Sequence, residues 1–313
     1  MRCERNTKRQ VTYRVPDTDI AIPATLICGE RTGKTITISA GVHSQEYIGI
    51  EALIRLAQEL TPEAVRGTIL LLHCCNYEGF LSRSPDIMPQ DGKNLNRSFP
   101  GAETGTPTQK LAAFLEAEII RHTDYLVDLH SGGFCETLVP HVYYHGAASP
   151  SVCADSLRIA ALSGAEYLVC SEAKNGFYSH AGQCGVPAII LERGGCGLLR
   201  EEEVQGDLSD IKNILCGLGF LPEERVKTYS HTMAQNGRYL NAPVSGCWYP
   251  KKRPGDRIRA GELLGEIRDI YAERLRSVFA EADGVVLYQT ASLGIAAGTP
   301  MIAYAELEKE GSQ

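Results

Sequence analysis

Three short segments carry residue types that bind metals and move protons. They are Gly41-Val42-His43-Ser44-Gln45-Glu46, Asp128-Leu129-His130-Ser131-Gly132-Gly133 and Leu191-Glu192-Arg193-Gly194-Gly195. His43 and Glu46, three residues apart, can reach one ion from a turn that leads into a helix, and His130 supplies a distant third ligand. Two imidazoles and one carboxylate, with a fourth position left to water, make a catalytic zinc set. Asp128 precedes His130 by two residues on a strand and so shares its face, where it either orients the imidazole or packs elsewhere. His141 and His145 form a rival pair, but no carboxylate or cysteine stands where it would complete a second site.

A fourth segment lies in a polar stretch, residues 76–105, rich in Ser, Pro, Asp, Asn and Gly. A loop of about thirty residues without secondary structure of its own is usually functional or disordered. Phe99-Pro100-Gly101 provides a packed anchor and a turn, which argues for order. Arg83 beside a bound metal can stabilise an oxyanion, and the pair Asn96 and Arg97 can grip a carboxylate.

The elements that must position these residues are read from hydrophobic period. Residues 1–33 read as strands. Residues 34–40 are a β-branched strand, 48–60 have apolar residues at helical spacing, and 68–75 are a second apolar strand. Thr106-Pro107 opens a helix through Leu111, Phe114, Leu115 and Ile119. Strands at 125–129, 138–144, 165–169 and 188–191 alternate with helices at 149–162 and 200–218. This pattern predicts an α/β fold with a mixed, largely parallel sheet flanked by helices. In such a sheet the carboxyl ends of the strands line one crevice, so His43, His130 and Glu192 converge on one rim.

The pattern changes near residues 220–230, and the rest of the chain reads as β. Glycine-bracketed phrases at 254–262 and 282–300 resemble a lipoyl or biotinyl β-sandwich, but residues 268–277 between them contain no acceptor lysine, which removes a carrier role. The expected organisation is a catalytic α/β domain at 1–230 and a small β-domain at 237–313.

Composition narrows the function classes. The 313 residues are 43% apolar with a net charge of −7, and no Lys/Arg run exceeds Lys251-Lys252-Arg253, so a nucleic-acid groove is disfavoured. No stretch of 18 apolar residues is present, and the first residues lack the apolar core of a signal peptide. Eleven cysteines without a CxxC pair, mostly inside apolar runs, read as buried thiols in a reducing cytoplasm.

Taken in order, GVHSQE, the 76–83 segment with NLNRSFPG, DLHSGG and LERGG resemble the zinc carboxypeptidase superfamily. More closely, they resemble its succinylglutamate desuccinylase/aspartoacylase branch, over residues 34–218. The resemblance implies one zinc per chain on His43, Glu46 and His130, with Glu192 as general base. It also implies Arg83 as the carbonyl-polarising group, Asn96 and Arg97 as a carboxylate clamp, and a substrate-contacting tyrosine, for which Tyr178 is the candidate; His180 has no matched role. A second basic residue for an acyl-side carboxylate has no counterpart, so the acyl group stays open. The expected activity is hydrolysis of a small-molecule N-acyl amino acid or related amide. The chain would act without nucleic acid or membrane, and its homo-oligomeric state is open. The alternatives are a metallocarboxypeptidase acting on short peptides and a non-catalytic metal-binding module.

Overall fold

A computed structural model describes residues 4–222 and 226–308. Two antiparallel strands, β1 (Thr7–Arg14) and β2 (Ala21–Cys28), lead into β3 (Arg31–Ala40), α1 (Tyr47–Glu59) and β4 (Arg66–Leu72). Then come α2 (Tyr77–Ser82), α3 (Pro107–Glu118), β5 (Tyr125–His130), β6 (Glu136–Leu138), β7 (His141–His145) and α4 (Pro150–Ala160). The first part of the chain closes with β8 (Tyr167–Ser171), α5 (Phe177–Gln183), β9 (Ala188–Glu192) and α6 (Glu201–Gly217).

One sheet runs in the order β1-β2-β4-β3-β5-β9-β7-β8, and its central strands β4, β3, β5 and β9 are parallel. These strands are apolar on both sides, and successive residues alternate between two cores. Ile69, Leu71, Ile189 and Leu191 pack under α1, α4 and α6. Leu70, Leu72, Ala188 and Ile190 pack under α3 and α5 on the opposite face. Helix α1 buries Ile48, Ala52, Leu53 and Leu56. Gly49 permits its close approach, since a Cβ there would lie 2.5 Å from Leu129 Cβ.

The sheet continues past residue 230. Strand β10 (Thr232–Asn241) pairs in parallel with β8. The remaining strands are β11 (Gly246–Pro250), β12 (Arg257–Ile258), β13 (Leu263–Arg268), β14 (Arg274–Phe279), β15 (Gly284–Thr290), β16 (Gly294–Ile295) and β17 (Pro300–Leu307). Strands β17, β15 and β12 extend the large sheet from β10, while β14-β13-β11-β16 form a second sheet. Trp248, Leu264, Ile267, Val286, Ile302 and Tyr304 fill a separate core in this C-terminal region.

Two local expectations are corrected, and one helix is added. The polar stretch is not without structure: Asn76 Oδ1 accepts from Gly79 N at 3.0 Å and caps α2, and residues 95–97 form a 3-10 turn. The strand expected at 138–144 is split into β6 and β7 because Pro140 lacks an N–H, and β6 leaves to pair with β15. Helix α5 forms where the sequence shows no helical signal, because seven residues are too few to display a period. The helix at Thr106-Pro107 forms as expected, with Gln109 Oε1 accepting from Thr106 N at 3.0 Å.

Candidate metal centre and active site

Parallel register brings the three segments together. Ala40 at the end of β3 is opposite Leu129, and His130 at the end of β5 is opposite Glu192 at the end of β9. The chain leaves β3 through Gly41 at φ 64°, where a Cβ would meet Cys74 Sγ at 2.6 Å; this turn swings His43 and Glu46 over the strand ends. His43 Nδ1 lies 2.8 Å from Glu46 Oε1, and His130 Nδ1 lies 2.9 Å from Glu46 Oε2. One ligand atom from each of the three residues falls within 4.8 Å of the others.

The far sides of both rings are held by acceptors. Asn94 Oδ1 is 3.3 Å from His43 Nε2, and Asp128 Oδ2 is 3.0 Å from His130 Nε2. Glu46, like Asn94 Oδ1 and Asp128, can only accept, so each imidazole carries a proton toward Glu46 as well as on Nε2, and a bound metal would replace the inner proton at Nδ1. Asp128 is itself fixed by Ser39 Oγ, which donates at 2.7 Å, and Ser131 N donates to Glu46 Oε2 at 3.2 Å. Two inward imidazole nitrogens, once deprotonated, and a carboxylate are a donor set that fits zinc.

The two glutamates are electrostatically opposed. Burial presses Glu46 toward its neutral form, but the flanking imidazoles of His43 and His130 hold its carboxyl down at about 2. Burial, with Glu46 adding to it, pushes Glu192 up to about 7 against the pull of His130 and His43. Adjacent carboxylates with separated pKa values divide into a permanent anion and a proton carrier.

The other predicted residues lie on separate segments. Arg83 ends α2 in the left-handed conformation at φ 55°, exposed, and among the described residues its guanidinium makes no hydrogen bond or ion pair. Asn96 is buried, and its Oδ1 accepts from Phe177 N at 2.9 Å, capping α5. Arg97 is exposed, donates from Nη1 to Asn96 O at 2.8 Å, and exerts its charge on Tyr239 and Tyr288. Phe99 is the anchor its segment implied, stacked 5.3 Å from Phe177. Tyr178, in contrast, is 3% exposed and stacked on His145 at 5.0 Å within the core. His141 and His145 do not join as a metal pair: His141 Nδ1 donates to Val139 O at 2.7 Å, and burial lowers both histidines to about 4.

Several residues at the site carried no motif. Glu136 lies on β6, opposite Thr290 of β15. Burial pushes its carboxyl well up, and Glu192, Glu46 and Asp86 add to the effect. Asp86 Oδ1 accepts from Gln45 Nε2, while the buried Gln45 Oε1 has no hydrogen-bond partner. Tyr143, Tyr239 and Tyr288 are pushed up by burial with Glu192 contributing, and the Tyr239 hydroxyl donates to Tyr143 Oη at 3.4 Å. Asn94 was legible as part of NLNRSFPG but not in its role. Glu136, Tyr239 and Tyr288 reach the site through the pairing of β6 with the C-terminal strands, for which no local signal exists.

The sheet thus carries a His-Glu-His cluster and a half-buried glutamate at its strand ends, the topology and donor set of an α/β protein with a candidate metal site. Residues 32–218 match the succinylglutamate desuccinylase/aspartoacylase catalytic domain, and the chain belongs to that family. It is 26% identical over 303 residues to the N-alpha-acetyl-L-2,4-diaminobutyric acid deacetylase of Halomonas elongata, covering 92% of this chain and 86% of that protein. The crystal structure of a succinylglutamate desuccinylase/aspartoacylase from Rhodobacter sphaeroides superposes with a TM-score of 0.87 at 26% identity, covering 99% of this chain and 98% of that one. The product-bound ectoine utilization protein EutE (DoeB) from Ruegeria pomeroyi shares the fold at a TM-score of 0.83 and 24% identity, covering 95% and 93%. Among the described residues no helix is long and apolar enough to cross a membrane.

Proposed function

We propose that this chain is a zinc-dependent deacylase that hydrolyses the amide of a small N-acyl amino acid. The observation that carries the reading is the register of Glu192 with His130 of the three-residue cluster; burial pushes that carboxyl up to about 7. A carboxylate poised near the working pH is what general-base chemistry requires.

His43 Nδ1, Glu46 and His130 Nδ1 would hold the zinc, which when bound supplies an acidified water and Lewis-acid polarisation of the carbonyl. Glu192 takes a proton from the attacking water and later delivers it to the departing nitrogen, so the amide and one water become a carboxylate and an amine. Arg83 offsets the charge that develops on the carbonyl oxygen. Arg97 and the Nδ2 of Asn96 hold the free carboxylate of the amino acid; the Oδ1 of Asn96 is committed to α5. No covalent acyl-enzyme is needed.

The deacetylase relative suggests a small acyl group on an amino acid that also bears an amine. The acidic lining supports this: Glu136 and Asp86 stand near Glu192 and Glu46, and among the described residues no Lys or Arg pairs with either. A substrate ammonium beside Glu136 would favour its ionised form and pair with it. We further infer that the β-region after residue 237, resembling a lipoyl or biotinyl sandwich, narrows the crevice through Tyr239 and Tyr288 and favours small substrates.

The test is metal content measured beside turnover of N-acetyl, N-formyl, N-succinyl and N-aspartyl amino acids, N-acetyl diamino acids and short peptides. About one zinc in the crevice with turnover confined to acylated amino acids supports the reading. Turnover of peptides alone overturns it in favour of a carboxypeptidase.

A further inference from the structure

A second set of metal-ligating side chains meets where α5 lies beside α3, outside the crevice. His180 in the last turn of α5 and Cys184 at its C-cap are four residues apart, so the helical repeat brings them to one side. Glu116 reaches them from the last turn of α3. His180 Nε2 is 2.8 Å from Glu116 Oε2 and 3.5 Å from Cys184 Sγ. One ligand atom of each lies within 4.8 Å of the others, the same convergence shown by His43, Glu46 and His130. The difference is a sulfur donor. Cys184 is exposed while His180 and Glu116 are half-buried, so an ion has a path in and a water can complete its coordination.

We propose that Glu116, His180 and Cys184 form a second metal site that takes one zinc ion, or a similarly thiophilic divalent ion, with water as the remaining ligand. Carboxylate oxygen, imidazole nitrogen and thiolate sulfur are the three donor types zinc accepts in tetrahedral sites. A soft sulfur disfavours magnesium and calcium, which take oxygen ligands. The charges balance: the thiol releases its proton to solvent on binding, and thiolate plus carboxylate neutralise the ion. Arg121 Nη2 holds the other oxygen of Glu116, Oε1, at 2.7 Å, which orients Oε2 toward His180.

The position gives the site a structural consequence. The Phe99 ring lies 5.3 Å from that of Phe177 and 5.9 Å from that of His180, and Phe177 N donates to Asn96. An ion joining α5 to α3 therefore clamps the helix against which the segment carrying Asn96 and Arg97 is packed. Its residues touch no substrate, and because Phe99 on Phe177 and Phe177 N on Asn96 hold the same segment without the ion, the crevice survives its loss.

The experiment is cobalt(II) titration of the metal-stripped full chain, followed by absorption spectroscopy. The crevice set has no sulfur, so a near-ultraviolet sulfur-to-cobalt charge-transfer band reports only a cysteine-bound ion. The expected result is two cobalt ions per chain with that band. Cys184→Ser should lose the band and one equivalent of metal while keeping the other, with turnover of the remaining loaded enzyme within about two-fold. Glu116→Gln should keep the band with affinity weakened by at least the roughly 10- to 100-fold typical of losing even an outer-shell partner. Absence of the band from the unaltered chain, or its persistence in Cys184→Ser, overturns the site and leaves Glu116–His180 as a plain ion pair. Because the band arises outside the crevice, that failure is separable from failure of the deacylase reading, which is read from crevice metal and turnover.

Discussion

Asp128 Oδ2 sits 3.0 Å from His130 Nε2, and the two residues share one face of β5. This contact points the opposite nitrogen, Nδ1, at Glu46, and Asn94 does the same for His43 from a separate segment. Ring orientation in the cluster is thus set by residues outside it. Asp128→Asn should weaken zinc affinity by about 10- to 100-fold, with a smaller loss for Asn94→Ala. Competition with a chromophoric chelator measures both. Unchanged affinity in Asp128→Asn would remove its orienting role.

Glu192→Gln should lower kcat by about 10²- to 10⁴-fold, the usual worth of general acid–base catalysis, while metal content stays the same. The base must be ionised to act, so kcat/KM should rise with pH through about 7, the pKa that burial imposes on Glu192. A pH–rate profile that keeps this acidic limb in the Gln variant assigns it to another group.

Arg97→Ala should raise KM for substrates with a free carboxylate by about 10- to 100-fold, one charge-assisted hydrogen bond, with kcat little changed. Steady-state kinetics on an N-acyl amino acid and on its amide, which lacks the carboxylate, separate the two cases. Equal effects on both substrates would place Arg97 elsewhere.

Asn96 has two separable duties. Asn96→Ala removes the cap on α5 and should cost about 1 kcal/mol of stability as well as raising KM. Asn96→Asp keeps an acceptor for Phe177 N but loses the Nδ2 donor, so it should retain stability and still raise KM. Thermal melts beside kinetics read the split; a stable, kinetically normal Asp variant would confine Asn96 to capping.

His141 and His145 are buried, and burial lowers both to about 4 from an ordinary value near 6.5. Between those values the unfolded chain binds more protons than the folded one, so stability falls as pH drops from about 6.5 toward 4. At pH 5.5 each histidine should cost about 1 kcal/mol relative to pH 7.5. Urea midpoints of the unaltered chain and of His145→Gln at the two pH values measure this, and an equal pH slope in both would exclude His145 as a contributor.

By itself the sequence determined the chemistry-bearing positions and the alternating elements beneath them. GVHSQE, DLHSGG and LERGG each end a strand that its β-branched or apolar run makes evident, and parallel strands put their carboxyl ends on one rim for any such sheet. Local period and strand-end glycines are short-range properties, so one chain suffices to read them. Tertiary structure decided what depends on distant pairing. Only the register of β5 with β9 sets Glu192 beside His130, and only the departure of β6 to β15 brings Glu136 and Tyr288 to the same place. Tyr178, the candidate that the resemblance supplied for a substrate contact, stacks its ring on His145 through the packing of α5, a placement that no local pattern announced. Asn96 was readable as a polar residue in a motif, but its bond to the N-terminus of a helix eighty-one residues away is a long-range contact. No periodicity encodes such a contact, because the two partners meet only once both layers are packed.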